Sequence, residues 1–223
     1  MASPPPASPR LWQAFLFDMD GTLITSTAAA ERVWSRWAER HGLDVAAFIP
    51  TIHGVRAADT IRKQNLPGID LEAEVAWVER GEIEDVNGVV PIAGAVDFVK
   101  RLPPDRWAVV TSATVPLAEA RLKAAGVTPP ALMITAEQVE RGKPDPAGYR
   151  LAAERLGVDI ADCLVFEDAE AGIKAGEAAG ADVVVITAAW THPLETPHPK
   201  LADYAQARLE VEADGALGFS IET

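Results

Sequence analysis

Five short apolar runs constrain this chain more than any other feature. They fall at residues 14–17, 107–110, 132–134, 163–166 and 183–186. Each is continuous rather than alternating in polarity, which is the pattern of strands covered on both faces. The stretches between the later runs carry helix punctuation. Residues 116–125 have Pro116 in the first turn and Gly126 just past the end. Residues 146–156 follow Asp145 as an N-cap, with Pro146 at the first helical position and Gly157 beyond the end; residues 171–179 stop at Gly180 in the same way. Strands that alternate with helices give an α/β fold around a mainly parallel sheet.

Residues 26–90 break the rhythm, because they contain no convincing buried strand. Residues 28–40 read as a helix with an apolar stripe of Val33, Trp34, Trp37 and Ala38. Residues 71–85 read as a second, more acidic helix, and residues 52–67 as a further helix with loops. The expected organisation is a disordered lead at 1–10, a core made of 11–25 and 91–223, and a helical insertion at 26–90 between the first and second core strands. Residues 204–221 are expected to add a strand or hairpin at the sheet edge.

Composition narrows the partners. The net charge of −13 disfavours nucleic acid and anionic membranes, both of which need basic surfaces. No apolar run approaches the ~20 residues of a membrane span. The single cysteine, Cys163, cannot form an internal disulfide and suits a reducing compartment. The N-terminal residues are rich in Pro, Ser and Ala, with neither a basic start nor an apolar stretch, so no secretory signal is read there. The expectation is a cytoplasmic monomer or weak dimer.

The chemistry-bearing residues follow the apolar runs. Ligands of open parallel sheets bind at the carboxyl ends of strands. The first run leads into Asp18-Met19-Asp20-Gly21-Thr22, which puts two carboxylates there with a glycine to turn the chain. Acids so close repel unless a cation joins them, and a hard divalent ion such as Mg2+ suits oxygen donors. A solvated turn has the same sequence, so the motif alone leaves both readings open. The second run ends in Thr111-Ser112-Ala113, whose hydroxyls and amides can bind phosphate oxygens; an ordinary strand-to-helix turn would look alike. Lys143 precedes a helix, against the dipole preference. The fourth run ends in Glu167-Asp168, where Asp168 is either a further metal ligand or the N-cap of the next helix.

Taken in order, these segments resemble the four motifs of the haloacid dehalogenase superfamily. Asp18 to Thr22 is similar to the first motif, Thr111-Ser112 to the second, Lys143 to the third and Glu167-Asp168 to the fourth. The resemblance implies a Rossmann-like core and, from the position of the insertion, an α-helical cap of type C1. It implies Mg2+ held by Asp18, Asp20, Asp168 and Glu167. It implies that Asp18 attacks phosphorus to form an aspartyl-phosphate, that Asp20 serves as acid and then base, and that Lys143 neutralises charge. Thr111, Ser112, Ala113 and Lys143 would surround the phosphate.

Differences within the superfamily refine the expectation. Dehalogenases lack the second Asp of the first motif, and Asp20 is present. Phosphonatases need a Schiff-base lysine in the cap, and the only lysine between Asp20 and Lys100 is Lys63, in an unlike context. Phosphatases and β-phosphoglucomutase-like enzymes remain, beside a non-catalytic binder of phosphometabolites. Thr51-Ile52-His53-Gly54-Val55-Arg56 resembles a His-Gly-x-Arg segment of sugar- and polyol-phosphate phosphatases, such as glycerol-phosphate and 2-deoxyglucose-6-phosphate phosphatases. His53 and Arg56 are therefore candidate substrate residues, Arg56 meeting phosphate or hydroxyl. Ile24-Thr25 replaces the usual Asp or Asn after the first motif. The expected partner is a small phosphorylated metabolite.

Overall fold

The computed structural model describes residues 10–190 and 194–222. All of the expected lead except Arg10 lies outside the described residues. Arg10 lies at the surface, with its Nε 2.8 Å from Asp182 Oδ2.

The strands are β1 (Leu11–Trp12), β2 (Ala14–Phe17), β3 (Ile24–Thr25), β4 (Val90–Pro91), β5 (Trp107–Val110), β6 (Met133–Ile134), β7 (Cys163–Glu167), β8 (Asp182–Ile186), β9 (Lys200–Leu201), β10 (Ala207–Val211) and β11 (Leu217–Ile221). The helices are α1 (Thr27–Arg40), α2 (Val45–Phe48), α3 (Ala57–Lys63), α4 (Leu71–Glu84), α5 (Ala95–Lys100), α6 (Val115–Ala124), α7 (Ala147–Leu156) and α8 (Glu170–Ala179). The main sheet has the order β6-β5-β2-β7-β8-β9, with every pairing parallel.

All five apolar runs are strands of this sheet, and the reason lies in their two-sided burial. In β2, Phe15 and Phe17 face one side, where they pack with Phe98 of α5, Leu117 and Leu122 of α6, and Phe166 of β7. Ala14 and Leu16 face the other side, against Tyr149 and Ala152 of α7 and Ile173 of α8. A run that was polar at alternate positions would leave one helix layer without a surface to cover. Phe17 and Phe166 stack with ring centroids 4.5 Å apart, which ties the central strands together just below the site.

Helices α1 to α4 hold a separate apolar cluster that includes Val33, Trp34, Trp37, Phe48, Ile61 and Val78. At its two ends the chain enters and leaves through β3 and β4, which pair antiparallel, Thr25 opposite Val90. The helix read at 146–156 starts one residue later, with Pro146 in the cap position and Asp145 Oδ1 accepting from the Ala147 N–H at 3.0 Å. The C-terminal hairpin forms, but not at the edge of the main sheet. It pairs with β1 in a separate antiparallel sheet of order β1-β11-β10, and β9 takes the edge. Leu217 and Leu209 face the core in that small sheet, so their burial supplies the driving force. No helix among the described residues is long and apolar enough to cross a membrane.

Candidate active site

The carboxyl ends of β2, β5 and β7 meet the α1–α4 segment around a cavity of about 430 Å3. Asp18, Asp20, His53, Arg56, Thr111, Ser112, Ala113 and Asp168 all line it.

Asp18 leaves β2 buried, and its N–H donates to Phe166 O at 3.0 Å, which keeps it in register with β7. Gly21 then turns the chain at φ +81°; a Cβ there would stand 1.9 Å from Asp168 Oδ2, so only glycine lets the turn and the fourth acid approach. Asp18, Glu167 and Asp168 each present an oxygen within 4.8 Å of the others. Lys143 enters from the loop before α7, with Nζ 2.5 Å from Asp18 Oδ1 and 2.6 Å from Glu167 Oε1. It lies four residues ahead of α7 and is buried, so its place follows from these acids rather than from the helix dipole.

Glu167 is the most occupied of the acids. Its Oε1 also accepts from Tyr149 Oη at 2.6 Å, and its Oε2 accepts from the Asp168 N–H at 3.1 Å. It therefore braces the turn ahead of α8, whose N-cap position is held by Ala169 with no side-chain cap, so Asp168 does not cap the helix either. Asp168 instead points back to Gly21, while its carbonyl accepts from Trp190 Nε1 at 2.7 Å.

Burial pushes the Asp18 carboxyl up to about 8; Lys143 opposes the rise, and Glu167 and Asp20 add to it. Burial with the Asp18 and Glu167 charges likewise holds Asp168 well above the usual carboxylate range. For Lys143, burial works against the charge, but Asp18 and Glu167 overcome it and raise its pKa. Three acids facing one ammonium in a buried place thus resist ionising together, and a cation between them would favour their charged forms. Their donors are all carboxylate oxygens. Such a set fits a hard divalent cation.

Asp20 stands apart from this acid group. Its Oδ1 accepts from Ser26 Oγ at 2.5 Å and lies 3.0 Å from Arg121 Nη1. The sequence reading grouped Asp20 with the metal-binding side chains; the structure turns its carboxylate toward Ser26 and Arg121 instead. Thr111 Oγ1 accepts from the Ala113 N–H at 3.1 Å, and Ser112 Oγ donates to Gly54 O at 3.0 Å. His53 faces Glu31, with Nε2 3.6 Å from Oε1, and burial lowers its pKa. Arg56 pairs with Asp59 at 2.8 Å and donates to the carbonyls of Val139 and Glu140. Its guanidinium thus clamps α3 to the loop that leads to Lys143.

A family model described as haloacid dehalogenase-like hydrolase matches residues 12–180. The chain belongs to the haloacid dehalogenase-like hydrolases. As a family member it is an enzyme, and the resemblance read from its four motifs is met. Its curated relatives include Hexitol phosphatase A of Escherichia coli strain K12, 40% identical over 89% of this chain and 92% of that protein. They also include 2-deoxyglucose-6-phosphate phosphatase 1 of Saccharomyces cerevisiae, 34% identical over 78% of this chain and 80% of that protein. The fold is shared with the crystal structure of CbbY from Rhodobacter sphaeroides in complex with phosphate, with a TM-score of 0.73, 20% identity and coverage of 87% and 96% of the two chains.

Four side chains of this hydrolase site escaped the motif reading: Ser26, Glu82, Arg121 and Tyr149. The signal was present for three of them. Arg121 shares the buried face of α6 with Leu117, Ala118 and Leu122; Glu82 shares that of α4 with Val78; Tyr149 shares that of α7 with Ala152 and Ala153. A charged or hydroxyl group on an apolar stripe must find a partner when the helix is buried.

Proposed function

We propose that this hydrolase is a magnesium-dependent phosphomonoesterase of a small phosphorylated sugar or polyol, with residues 26–90 as its cap. The observation that carries the reading is the division between the two acids of the first motif. Both line the cavity, but Asp18 is buried against Lys143 in the acid group, whereas Asp20 is held outside that group by Ser26 and Arg121. One carboxylate is thus set for attack and the other for proton transfer. The substrate class is supported by the named activities of the relatives, hexitol and 2-deoxyglucose-6-phosphate phosphatases. The cavity, at about 430 Å3, is of a size for one such metabolite.

In this reading an Asp18 carboxylate oxygen bonds to phosphorus as the bond to the leaving oxygen breaks. Asp20 gives its proton to that oxygen, then takes one from the water that cleaves the aspartyl-phosphate. Lys143 stays charged beside Asp18 and meets the phosphoryl oxygens; Glu167 and Tyr149 hold it in place. Thr111, Ser112 and Ala113 surround the remaining oxygens. Asp18 and Asp168, with Glu167 beside them, are the residues that would hold magnesium, which when bound offsets phosphoryl charge. His53 lies at the cap side of the cavity, and Arg56 positions that side rather than binding phosphate.

The test is a panel of hexitol, hexose, glycerol and nucleotide phosphates, with phosphate release and sugar isomers measured together. Phosphate release from hexitol or hexose phosphates, dependent on magnesium and without isomer formation, is the expected result. Isomers without free phosphate would assign a mutase instead, and no turnover of any compound would overturn the enzyme reading.

A further inference from the structure

Arg121 is buried on α6, yet it belongs to none of the four motifs. Its guanidinium divides between two carboxylates. Nη1 lies 3.0 Å from Asp20 Oδ1, and Nη2 lies 2.9 Å from Glu82 Oε1 on α4. Glu82 is as buried as the arginine. Among the described residues, the hydrogen bonds and ion pairs of Asp20 all fall on Oδ1, from Ser26 and Arg121. That leaves the Oδ2 edge for the cavity that Asp20 lines.

We infer that Arg121, itself fixed by Glu82, is the residue that positions the Asp20 carboxylate for proton transfer. The inference rests on the phosphatase reading above. A serine hydroxyl rotates freely and restrains one oxygen only loosely. A guanidinium is a rigid planar fork, and when both ends are engaged its plane is fixed. Glu82 supplies the second engagement, so the direction of Asp20 is set by a chain running from α4 through α6 to the loop after β2. Arg121 also lines the cavity, which raises a rival role as an anion clamp on substrate. Both of its Nη atoms already face carboxylates, and a third anion there would meet the charges of Asp20 and Glu82 as well. The geometry therefore favours positioning.

The experiment compares the parent with Arg121→Met, Arg121→Lys and Glu82→Gln. The substrates are sorbitol 6-phosphate, whose alkoxide leaving group needs acid assistance, and 4-nitrophenyl phosphate, whose leaving group needs little. Arg121→Met is expected to lower kcat on sorbitol 6-phosphate roughly 30- to 100-fold, with KM changed less than about threefold. The first-turnover burst of nitrophenolate should fall less than about threefold, and intact-mass measurement after rapid quench should show a phosphate adduct that the parent does not accumulate. Arg121→Lys should recover part of the loss, and Glu82→Gln should fall between parent and Arg121→Met. A nitrophenolate burst that slows as much as kcat on sorbitol 6-phosphate falls would overturn the inference, as would a KM rise above about tenfold with kcat retained. If Arg121→Met does not fold, the isosteric Glu82→Gln decides on the same two readouts. A parent that releases phosphate from neither substrate overturns the phosphatase reading itself, which separates that failure from a failure of Arg121.

Discussion

Asp18 is poised against the stability of its own fold. In the unfolded chain its carboxyl ionises near the ordinary 3.8, and in the folded chain only at about 8. Raised in the folded state, this group works for folding below the unfolded value and against it as pH climbs toward 8. Asp18→Asn removes that opposition and keeps the shape of the side chain. The metal-free variant should therefore melt no lower than the parent at pH 7.5, while turnover falls at least about 1,000-fold, since each ~1.36 kcal/mol of lost transition-state stabilisation is tenfold. Scanning calorimetry in EDTA beside initial rates checks both halves; a clearly lower melting temperature would mean that Asp18 is a structural acid. Gly172 makes the converse case. A Cβ there would stand 1.8 Å from Glu167 Oε1, the oxygen shared by Lys143 and Tyr149. Gly172→Ala should displace Glu167, cost about 1–3 kcal/mol in stability as an overpacked core does, and lower kcat. Wild-type stability and rate in that variant would remove Glu167 from its bracing role.

The elements were legible in the sequence to the extent that burial imposes a pattern. The five apolar runs are strands of the main sheet because both faces are covered. The stripe of Val33, Trp34, Trp37 and Ala38 is the buried face of α1 for the same reason. That the candidate residues Asp18, Asp20, Thr111, Ser112 and Asp168 would gather around one cavity was legible because chain order puts them at the ends of those strands. What stayed hidden depends on contacts remote in sequence. β1 and β9 have two residues each, too few to show a period, and the partner of the C-terminal hairpin is β1 at the opposite end of the chain. The orientation of Asp20 depends on Arg121, about a hundred residues away in the chain. A similar long-range pair joins α1 to the end of α4. Arg32 meets Asp85 through two hydrogen bonds of 2.7 and 2.9 Å, and these, with burial opposing, lower the Asp85 carboxyl to about 2. A depressed pKa stabilises above the unfolded value and is lost as pH falls through the folded one. Asp85→Asn should thus cost about 0.5–1 kcal/mol at pH 7, as expected for a partly exposed pair. The difference from the parent should fade between pH 4 and pH 2. Chemical denaturation at a series of pH values tests it, and a difference that persists at pH 2 would place the effect elsewhere.

At the scale of the whole molecule, a metal held by the acid group as proposed would link folding to turnover. Asp18, Glu167 and Asp168 stand on the ends of β2 and β7, the two central strands, and Lys143 alone opposes them among the described residues. Strand pairing and the Phe17–Phe166 stack force the acids together whether or not a cation is bound. A cation that joins them binds the folded chain and finds no such group in the unfolded one, so its binding adds directly to stability. At one hundred times the dissociation constant the gain is about 2.7 kcal/mol. For a chain of this length that is a rise of roughly 5–10 °C in Tm. Magnesium should therefore raise the Tm of EDTA-treated protein in a saturable way, and Asp168→Asn should abolish most of the rise. Calcium tests the same group differently. It accepts more ligands at longer distances than magnesium, so it should still raise Tm but support less than about a tenth of the turnover, because the Asp18 oxygen is no longer held in line with phosphorus. Differential scanning fluorimetry and phosphate release, run on the same dialysed sample, separate binding from chemistry. A Tm indifferent to magnesium, together with full turnover in EDTA, would show that the three acids hold no catalytic cation and that Lys143 alone balances the phosphoryl charge.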